Sequence, residues 1–194
     1  MMDLYIEKLI ENIKRNKNDK INLIMDGGAF SGSYILGALY YIKKMEETNH
    51  VKINKLSGCS IGSLLCVLYL LNELDYCRDV YGNIRNHFKE YGNLYIIMDS
   101  VEEIKRKMKD DFYKSCNNRL HISYYNMERS NYVVQSKFKS NEDVCDAIIK
   151  SCYIPFICGS SFYYKKKYID GLKPHLFKNG KSLFINLCMD IKCI

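Results

Sequence analysis

Proline and linker-type sequence are scarce in this chain. The 194 residues include 2 prolines, and no stretch rich in proline, glycine and serine separates one half of the chain from the other. Internal repeats are absent as well. We therefore expect one compact domain over residues 21–194, preceded by an N-terminal segment, residues 1–20, that combines an amphipathic helix with a lysine-rich stretch.

Long apolar runs are also absent. No window approaches the roughly 18 consecutive apolar residues that a membrane-spanning helix needs, which excludes a membrane channel. The first 20 residues are highly charged and contain no apolar core of the kind found in a cleaved leader. These absences predict a cytoplasmic protein that would meet membranes only by peripheral contact.

Cysteine is plentiful, but the arrangements that secreted or zinc-binding domains need are missing. The 9 cysteines are odd in number and form no C-x-x-C pair, which excludes a small disulfide-stabilised domain and a zinc ribbon. Cys66, Cys152 and Cys188 lie in apolar segments. We expect reduced and mostly buried thiols, with no metal ion and no cofactor.

The charge balance is moderately basic. Lys and Arg number 29 against 22 Asp and Glu, a net charge of +7 that favours anionic surfaces. No helix-turn-helix, zinc-finger or RNA-recognition signature accompanies it, so we expect no nucleic-acid partner. Lys165, Lys166 and Lys167 stand among aromatic residues, a pattern that predicts contact with an anionic membrane surface. A hairpin with a solvated lysine edge is the alternative.

Strand and helix patterns alternate along the first half of the chain. Apolar runs at 21–25 and 51–56 predict strands, and helical periodicity follows each of them, at 33–45 and 61–74. Two successive strand–turn–helix units are typical of a parallel sheet covered by helices, which places the chain in the α/β class.

The remaining elements are predicted from shorter signals. We expect three further helices, over 3–15, 101–109 and 141–152. Ser100 would cap the second, and Ser140 would cap the third, which ends before Pro155. We expect strands over 120–125, 132–138 and 183–187, and a hairpin or bent strand pair over 162–169. The polar stretch 75–118 gives no clear pattern outside the helix that follows Ser100.

A serine between two glycines follows the second predicted strand. Residues 58–62 read Gly-Cys-Ser-Ile-Gly and fit G-x-S-x-G, with Ser60 at the centre. In a sharp strand-to-helix turn the serine Oγ projects away from the sheet, and Gly58 and Gly62 remove Cβ atoms that would clash. The helix beginning at Ile61 directs its N-terminal dipole towards the serine. The pattern predicts a nucleophile, with a plain turn as the alternative.

A second glycine-rich turn, residues 26–32, follows the first predicted strand. Ala29 stands where a dinucleotide fingerprint needs its second glycine, and no lysine follows Gly32 as a phosphate-binding P-loop requires. The remaining ligand-binding interpretation is an oxyanion hole, in which consecutive backbone N–H groups of a small-residue turn converge on one oxygen. A tight connection without a ligand is the alternative.

An aspartate stands near the end of the predicted hairpin. Asp170 precedes Gly171, and an aspartate at the end of a strand can face a site at the carboxyl edge of a sheet. An isolated Asp-Gly pair more often forms a turn, so this motif carries little information without the other two.

Together and in this order, the three motifs resemble those of the patatin-like phospholipases. That family has a glycine-rich anion-hole loop, a G-x-S-x-G serine at the next strand turn and a later Asp-Gly dipeptide. The run at 146–156, Asp-Ala-Ile-Ile-Lys-Ser-Cys-Tyr-Ile-Pro-Phe, also resembles the helix and proline turn that precede the catalytic aspartate in these proteins. The resemblance spans about residues 21–190 and implies a three-layer α/β/α fold with a mainly parallel central sheet.

The resemblance implies a Ser–Asp dyad that hydrolyses acyl esters of glycerolipids or phospholipids without a metal ion. Ser60 would attack the ester carbonyl, and Asp170 would accept the serine proton and later activate water. The same comparison assigns backbone roles to seven small residues: Gly27, Gly28 and Ala29 in the oxyanion hole, and Gly32, Gly58, Gly62 and Gly171 in support of the turns. An acyltransferase would use the same acyl-enzyme with another acceptor.

Some positions depart from the family pattern. Ala29 and Ser31 stand where many members have glycine and a cation, and Leu172 stands where a second small residue usually follows the Asp-Gly pair. The altered loop leaves open a non-catalytic member of the fold that binds a lipid or a protein partner.

A Ser-His-Asp triad on an α/β-hydrolase fold is the nearest alternative enzyme. The chain has four histidines, at positions 50, 87, 121 and 175, and His175 is the one that follows Asp170. A spacing of five residues is short for two independent triad partners. We therefore expect His175 to be a surface or loop residue.

Overall fold

The computed structural model describes residues 2–11, 13, 20–28 and 32–186. Predictions that concern Ala29, Ser31 and Cys188, and the far ends of the predicted helix 3–15 and strand 183–187, lie outside the described residues.

Seven helices and six strands are present in the described part of the chain. In chain order they are α1 (Met2–Glu11), β1 (Lys20–Met25), α2 (Gly32–Glu47), β2 (Lys52–Cys59), α3 (Ile61–Leu71), α4 (Leu74–Tyr91), α5 (Ile96–Arg106), α6 (Phe112–Cys116), β3 (Leu120–Asn126), β4 (Asn131–Gln135), α7 (Asn141–Cys152), β5 (Tyr168–Asp170) and β6 (Lys181–Ile185).

The strands form one mixed sheet in the order β4-β3-β2-β1-β6, with β5 paired to β3. β1 runs parallel to both β2 and β6, and β2 runs parallel to β3, whereas β4 and β5 are antiparallel to β3. Met25 is aligned with Gly58, and Cys59 with Ser123. The carboxyl ends of the central parallel strands therefore meet at one edge, which confirms the predicted α/β fold.

Helix α3 contributes much of the core. Its sequence is apolar on every side, and all residues from Ile61 to Tyr69 are buried, as expected for a helix enclosed by protein. It packs against β2 and against α2, α4 and α7. The helix that follows Ser60 is thereby held rigidly against the sheet.

Two cap predictions had different outcomes. The Ser140 cap is confirmed, because its Oγ accepts the N–H of Asp143 at 3.2 Å. The Ser100 cap is wrong: α5 begins at Ile96, and Ser100 lies inside it with its Oγ donating to the Ile96 carbonyl at 2.9 Å. An S-x-x-E pattern also suits a helix interior, where serine bonds the carbonyl four residues earlier.

The polar stretch before β3 folds as three helices, α4, α5 and α6, rather than as the single helix over 101–109. Seven cysteines in the described part of the chain, Cys66 and Cys152 among them, are buried, as predicted. None of the described helices has both the length and the apolar character required to cross a membrane.

Candidate active site

Ser60 occupies the turn between β2 and α3 in a strained conformation. Its φ of 51° and ψ of −133° lie in a region that non-glycine residues rarely adopt and that costs about 1–3 kcal/mol. The Ser60 N–H donates to Ser151 Oγ at 2.9 Å. Its carbonyl accepts the Ser63 N–H at 2.9 Å and the Ser63 hydroxyl at 2.7 Å. These bonds hold the turn in the strained form.

The two glycines of the turn are needed because backbone approaches backbone there. A Cβ on Gly62 would lie 2.5 Å from the Asp26 carbonyl oxygen, and one on Gly58 would overlap the Gly62 carbonyl. The serine turn therefore packs directly on the end of β1, where the glycine-rich loop begins. This contact explains why both predicted glycine turns meet at one edge of the sheet.

Asp170 reaches Ser60 because β5 continues the sheet where β2 ends. β4 pairs with one edge of β3, and β2 and β5 both pair with the opposite edge. β2 pairs with residues 120–123 of β3, and β5 pairs with residues 124–126 of the same strand. Cys59 is aligned with Ser123, and Asp170 is aligned with the next residue, Tyr124. The strand pairing alone thus places residues 60 and 170 beside each other.

The Asp170 side chain is partly buried. Its Oδ1 accepts the Leu172 N–H at 2.8 Å, and the Ser60 hydroxyl lies close enough to the carboxyl to lower its pKa. Burial has the larger effect and raises the pKa of Asp170 above its ordinary value, and the interactions with Ser60 and Leu172 partly offset that rise. A carboxylate with a raised pKa is the better proton acceptor, which is the property that a general base needs.

The glycine-rich loop approaches Ser60 from the other side. A Cβ on Gly27 would lie 3.1 Å from Ser60 Cβ, so this position suits a glycine. Its N–H donates to Asp26 Oδ1 at 2.9 Å, and the oxyanion role of Gly27 stays a prediction. Gly28 has a φ of 138°, which favours glycine and makes Gly28 the described candidate donor. Ala29 lies outside the described residues.

The start of α2 anchors the same loop. The Gly32 N–H donates to the Tyr81 hydroxyl of α4 at 2.9 Å, and a Cβ on Gly32 would lie 2.8 Å from the Tyr81 ring. Both contacts suit a glycine at position 32, whereas sequence patterns gave no reason to single out Tyr81.

Ser151, at the end of α7, joins the nucleophile segment to the aspartate segment. Its Oγ accepts the Ser60 N–H at 2.9 Å and donates to the Ser123 carbonyl at 2.6 Å. Its carbonyl accepts the Gly171 N–H at 3.4 Å, and a Cβ on Gly171 would overlap the Ser123 carbonyl. Ser151 was not predicted as a site residue, although it lies in the run that resembles the family.

Two cavities meet at Ser60. An open groove of about 420 Å³ lies over the site and is lined by Asp26, Gly27, Gly28, Ser60, Ile154, Pro155, Ile169, Asp170 and Leu172. A narrow apolar pocket of about 30 Å³ lies beside it and is lined by Ser60, Ile61, Leu64, Tyr81, Ile84, Leu94, Ile97, Cys152 and Ile154. The arrangement suits a polar group at Ser60 with an apolar chain leading away from it.

None of the four histidines makes a described hydrogen bond to Ser60 or Asp170. His175 stacks on His121 with ring centroids 5.5 Å apart, and Phe177 packs edge-on against both rings. His50 is bonded to Thr48, and His87 to Asn93. The geometry therefore offers Ser60 a carboxyl partner and favours the dyad over the triad.

The predicted lysine patch is partly neutralised within the protein. Lys165 Nζ lies 2.6 Å from Asp146, and Lys167 Nζ lies 3.6 Å from Glu128. Lys166 is exposed and belongs to none of the described ion pairs. A search of the described residues finds no group of three or more His, Cys, Asp or Glu side chains placed to hold a metal ion.

A strained serine turn, a partly buried carboxyl beside it and an apolar pocket lie together on a mainly parallel sheet, so this is an α/β protein whose serine turn has the geometry of a nucleophile elbow. The family model of the patatin-like phospholipases matches residues 23–172. The chain belongs to this family, and its α/β/α fold is the patatin fold.

Relatives of known name are similar to this chain at low identity. Human omega-hydroxyceramide transacylase is 28% identical over 163 residues, which cover 77% of this chain and 30% of the relative. Mouse 1-acylglycerol-3-phosphate O-acyltransferase Pnpla3 is 25% identical, covering 77% and 38%, and human patatin-like phospholipase domain-containing protein 4 is 25% identical, covering 78% and 64%. The chain thus spans about a third of the first two relatives.

Proposed function

We propose that this protein is a lipid acyl hydrolase that cleaves acyl esters of glycerolipids, phospholipids included, through a dyad of Ser60 and Asp170. The observation that carries the proposal is that Ser60 and Asp170 line the same groove, with the Ser60 hydroxyl close enough to the Asp170 carboxyl to lower its pKa. The small apolar pocket that begins at the same serine supports an apolar group on the bound ester, and membership of the family supports a lipid ester.

In the first half-reaction, Ser60 Oγ attacks the ester carbonyl carbon while Asp170 accepts the serine proton. The carbonyl oxygen becomes negative in the tetrahedral intermediate, and we assign its stabilisation to the N–H of Gly28, which lines the same groove as Ser60. Each oxyanion donor of this kind contributes roughly 10²–10³-fold to kcat. As the intermediate collapses, the C–O bond to the glycerol breaks, and the departing alcohol takes the proton from Asp170.

In the second half-reaction, Asp170 accepts a proton from water, and the water oxygen attacks the acyl-Ser60 carbonyl. The ester bond to Ser60 Oγ then breaks, and Asp170 returns the proton to the serine. A fatty acid leaves and the free dyad is restored. The open groove over Asp170 and Ser60 gives water access to this step.

The test is hydrolysis of a water-soluble acyl ester and of phospholipid, with the products identified. Ser60→Ala and Asp170→Asn should each lose at least about 10³-fold in kcat, as removal of a member of a serine hydrolase triad does. A fluorophosphonate probe should label wild type at Ser60. Ser115→Ala, at an exposed serine of α6, is the serine control, and equal activity in wild type and both dyad variants would refute the proposal.

The same assay separates the dyad from a triad and from a non-catalytic domain. His175→Ala should retain hydrolysis, because His175 packs on His121 rather than on the site, whereas a triad requires near-complete loss. A wild-type protein that resists the fluorophosphonate probe while binding lipid would support the binding-only alternative.

Acyl transfer is a second candidate, favoured by the names of two relatives, a transacylase and an acyltransferase. The acyl-enzyme would be the same, with an alcohol in place of water as the acceptor. Supplying a lipid alcohol during ester turnover distinguishes the two: a new ester indicates transfer, and free fatty acid alone indicates hydrolysis.

Peripheral contact with an anionic membrane surface through Lys165, Lys166 and Lys167 is part of the proposal. Exposed Lys166 supports it, and the pairing of its two neighbours with Asp146 and Glu128 weakens it. Neutralising the three lysines should reduce binding to anionic vesicles, and unchanged binding would reject this patch.

A further inference from the structure

Three large apolar side chains are exposed beside the groove that leads to Ser60. Leu172 lines the groove and is 78% exposed, Phe162 is 61% exposed and Phe156 is 53% exposed. The two phenylalanine rings pack edge to face with centroids 4.3 Å apart, and Phe156 directly follows Pro155, another lining residue of the groove. We refer to Leu172, Phe156 and Phe162 as the apolar rim.

The backbone of this region is held in an unfavourable conformation. Nine non-glycine residues in the described part of the chain have a positive φ; five are asparagine or serine. The other four are Phe156, Lys165, Lys166 and Leu172, with φ of 61°, 48°, 63° and 58°, and all lie between the end of α7 and the residues just after Asp170. Left-handed backbone at bulky side chains is costly and concentrates at functional sites.

Leu172 is also tied directly to the proposed base. Its N–H donates to Asp170 Oδ1 at 2.8 Å, so the same residue that presents an apolar side chain to solvent positions the carboxyl beside Ser60. The conformation that makes this bond is the one that leaves the leucine side chain exposed. A polar residue at position 172 could make the same backbone bond, so the bond does not explain the apolar side chain.

We infer that the apolar rim docks the protein on a phospholipid bilayer, with the groove over Ser60 facing the lipid. Because a long-chain lipid has negligible solubility in water, the groove must receive it from an aggregate, and the rim borders that groove. Exposed Lys166, on the same chain segment, adds charge complementarity to an anionic bilayer. Aromatic side chains suit the membrane interface, and large exposed apolar groups beside a groove suit a binding surface. The inference rests on the proposed lipid substrate.

The absence of tryptophan from the chain provides a clean test. Phe162→Trp and Leu172→Trp each place the only indole in the rim, whereas Tyr5→Trp places it on α1, at a residue that is 65% exposed. All three are made in the Ser60→Ala protein, so that no lipid is consumed. Vesicles of phosphatidylcholine and phosphatidylglycerol should shift the emission of both rim tryptophans to the blue and leave the α1 tryptophan unchanged.

Two further variants measure how much an apolar and a charged side chain contribute to vesicle binding. Phe162→Ser should weaken vesicle partitioning about tenfold, as expected for one large apolar side chain that no longer enters lipid. Lys166→Gln should weaken binding to anionic vesicles about fivefold and leave binding to neutral vesicles unchanged. Hydrolysis of a water-soluble short ester by Phe162→Ser should remain at the wild-type rate.

The outcomes separate this inference from the proposed function. Vesicle binding without a shift of the rim tryptophans, an equal shift of the α1 tryptophan, or no binding at all would each overturn the docking surface. Self-association abolished by Phe162→Ser would instead make the rim a protein interface and also overturn the inference. Failure of wild type to hydrolyse the soluble ester would refute the proposed function while leaving the fluorescence result interpretable.

Discussion

The Ser60 N–H donates to the Oγ of Ser151 at 2.9 Å, and Ser151 in turn donates to the Ser123 carbonyl at 2.6 Å. One fully buried hydroxyl thus links the nucleophile turn, the end of α7 and strand β3. Because the Ser151 carbonyl also accepts the Gly171 N–H, this residue connects the segments that carry both members of the proposed dyad. Its contribution should be seen in the alignment of the dyad as well as in stability.

Ser151→Ala should reduce kcat about 10- to 100-fold with little change in KM. The substitution leaves the Ser60 N–H and the Ser123 carbonyl unpaired in a buried position, which costs about 1–3 kcal/mol, and it releases the strained turn. Steady-state kinetics on a soluble ester and the rate of fluorophosphonate labelling of Ser60 both measure the effect.

Ser100→Ala is the matched control, because Ser100 is also buried in a helix and donates to a backbone carbonyl, that of Ile96, at 2.9 Å. Both variants should lower Tm, but only Ser151→Ala should slow labelling. Equal slowing in the two variants would indicate that loss of stability, rather than dyad alignment, causes the defect.

The raised pKa of Asp170 predicts a trade between stability and activity. Burial raises the pKa of Asp170 above its value in the unfolded chain. At a pH between these two pKa values the folded state therefore binds more protons than the unfolded state, and the free energy of unfolding falls as pH rises through this interval. Asp170→Asn removes the ionisable group. It should abolish hydrolysis and raise Tm at neutral pH. The gain should shrink as pH falls through the interval between the two values and be absent below about pH 4, where the carboxyl is protonated in both states.

Asp146→Asn should show the opposite behaviour. Burial acts to raise the pKa of Asp146, but hydrogen bonds from Lys150 and Lys165 outweigh it and lower the pKa. This carboxylate therefore stabilises the fold at neutral pH, and the contribution is lost on acidification. Thermal unfolding from pH 3.5 to pH 8 tests both variants, and a lower Tm for Asp170→Asn at neutral pH would contradict the assignment.

In wild type, the acidic limb of kcat/KM should lie above the ordinary pKa of aspartate, about 3.9.

Local signals predicted the nucleophile turn, whereas tertiary contacts determine its partner. A buried strand, two glycines and an apolar helix identify Ser60 within a short stretch of sequence. Asp170 lies in a strand of three residues, too short for a periodic pattern, and its role as the base was assigned through the family resemblance. What places it at Ser60 is the pairing of β5 with β3 beyond the end of β2, a contact between distant segments.

Side chains that support the site are even harder to identify from the sequence. A buried serine such as Ser151 looks the same as Ser100 in a helical pattern, and only the packing of α7 against β3 distinguishes them. Likewise, the family resemblance implies an oxyanion role for Gly27, and the direction of its N–H depends on the adjacent Asp26 carboxylate. Such directions are set by geometry that composition and spacing do not encode.

Alanine substitution of a glycine should have opposite effects beside Asp170 and in helix α2. A Cβ on Gly171 would overlap the Ser123 carbonyl, whereas one on Gly37 in α2 meets no atom within 4 Å. Gly171→Ala should therefore lose about 1–3 kcal/mol of stability and most activity. Gly37→Ala should gain roughly 0.5–1 kcal/mol, because alanine favours the helix, with activity unchanged. Thermal unfolding and ester hydrolysis measure both, and a Gly171→Ala protein of wild-type stability would contradict the packing around Asp170.

Tyr81 combines two roles that substitution can separate. Its ring lines the apolar pocket that begins at Ser60, and its hydroxyl accepts the Gly32 N–H at the end of the glycine-rich loop. Tyr81→Phe keeps the ring and removes the acceptor. It should lower kcat about 3- to 10-fold, the equivalent of one hydrogen bond, by the same factor for short and long acyl chains. Kinetics on a series of esters of increasing chain length measure this.

The chain-length dependence distinguishes the loop from the pocket. Ile84→Ala enlarges the pocket without touching the loop, so it should shift preference towards longer acyl chains and leave kcat on the shortest ester unchanged. Tyr76→Phe, on the same helix, removes a hydroxyl that donates to Glu103 at the surface and should change neither quantity. If Tyr81→Phe altered chain-length preference as Ile84→Ala does, the tyrosine would act as a wall of the pocket and not as the anchor of the loop beside Ser60.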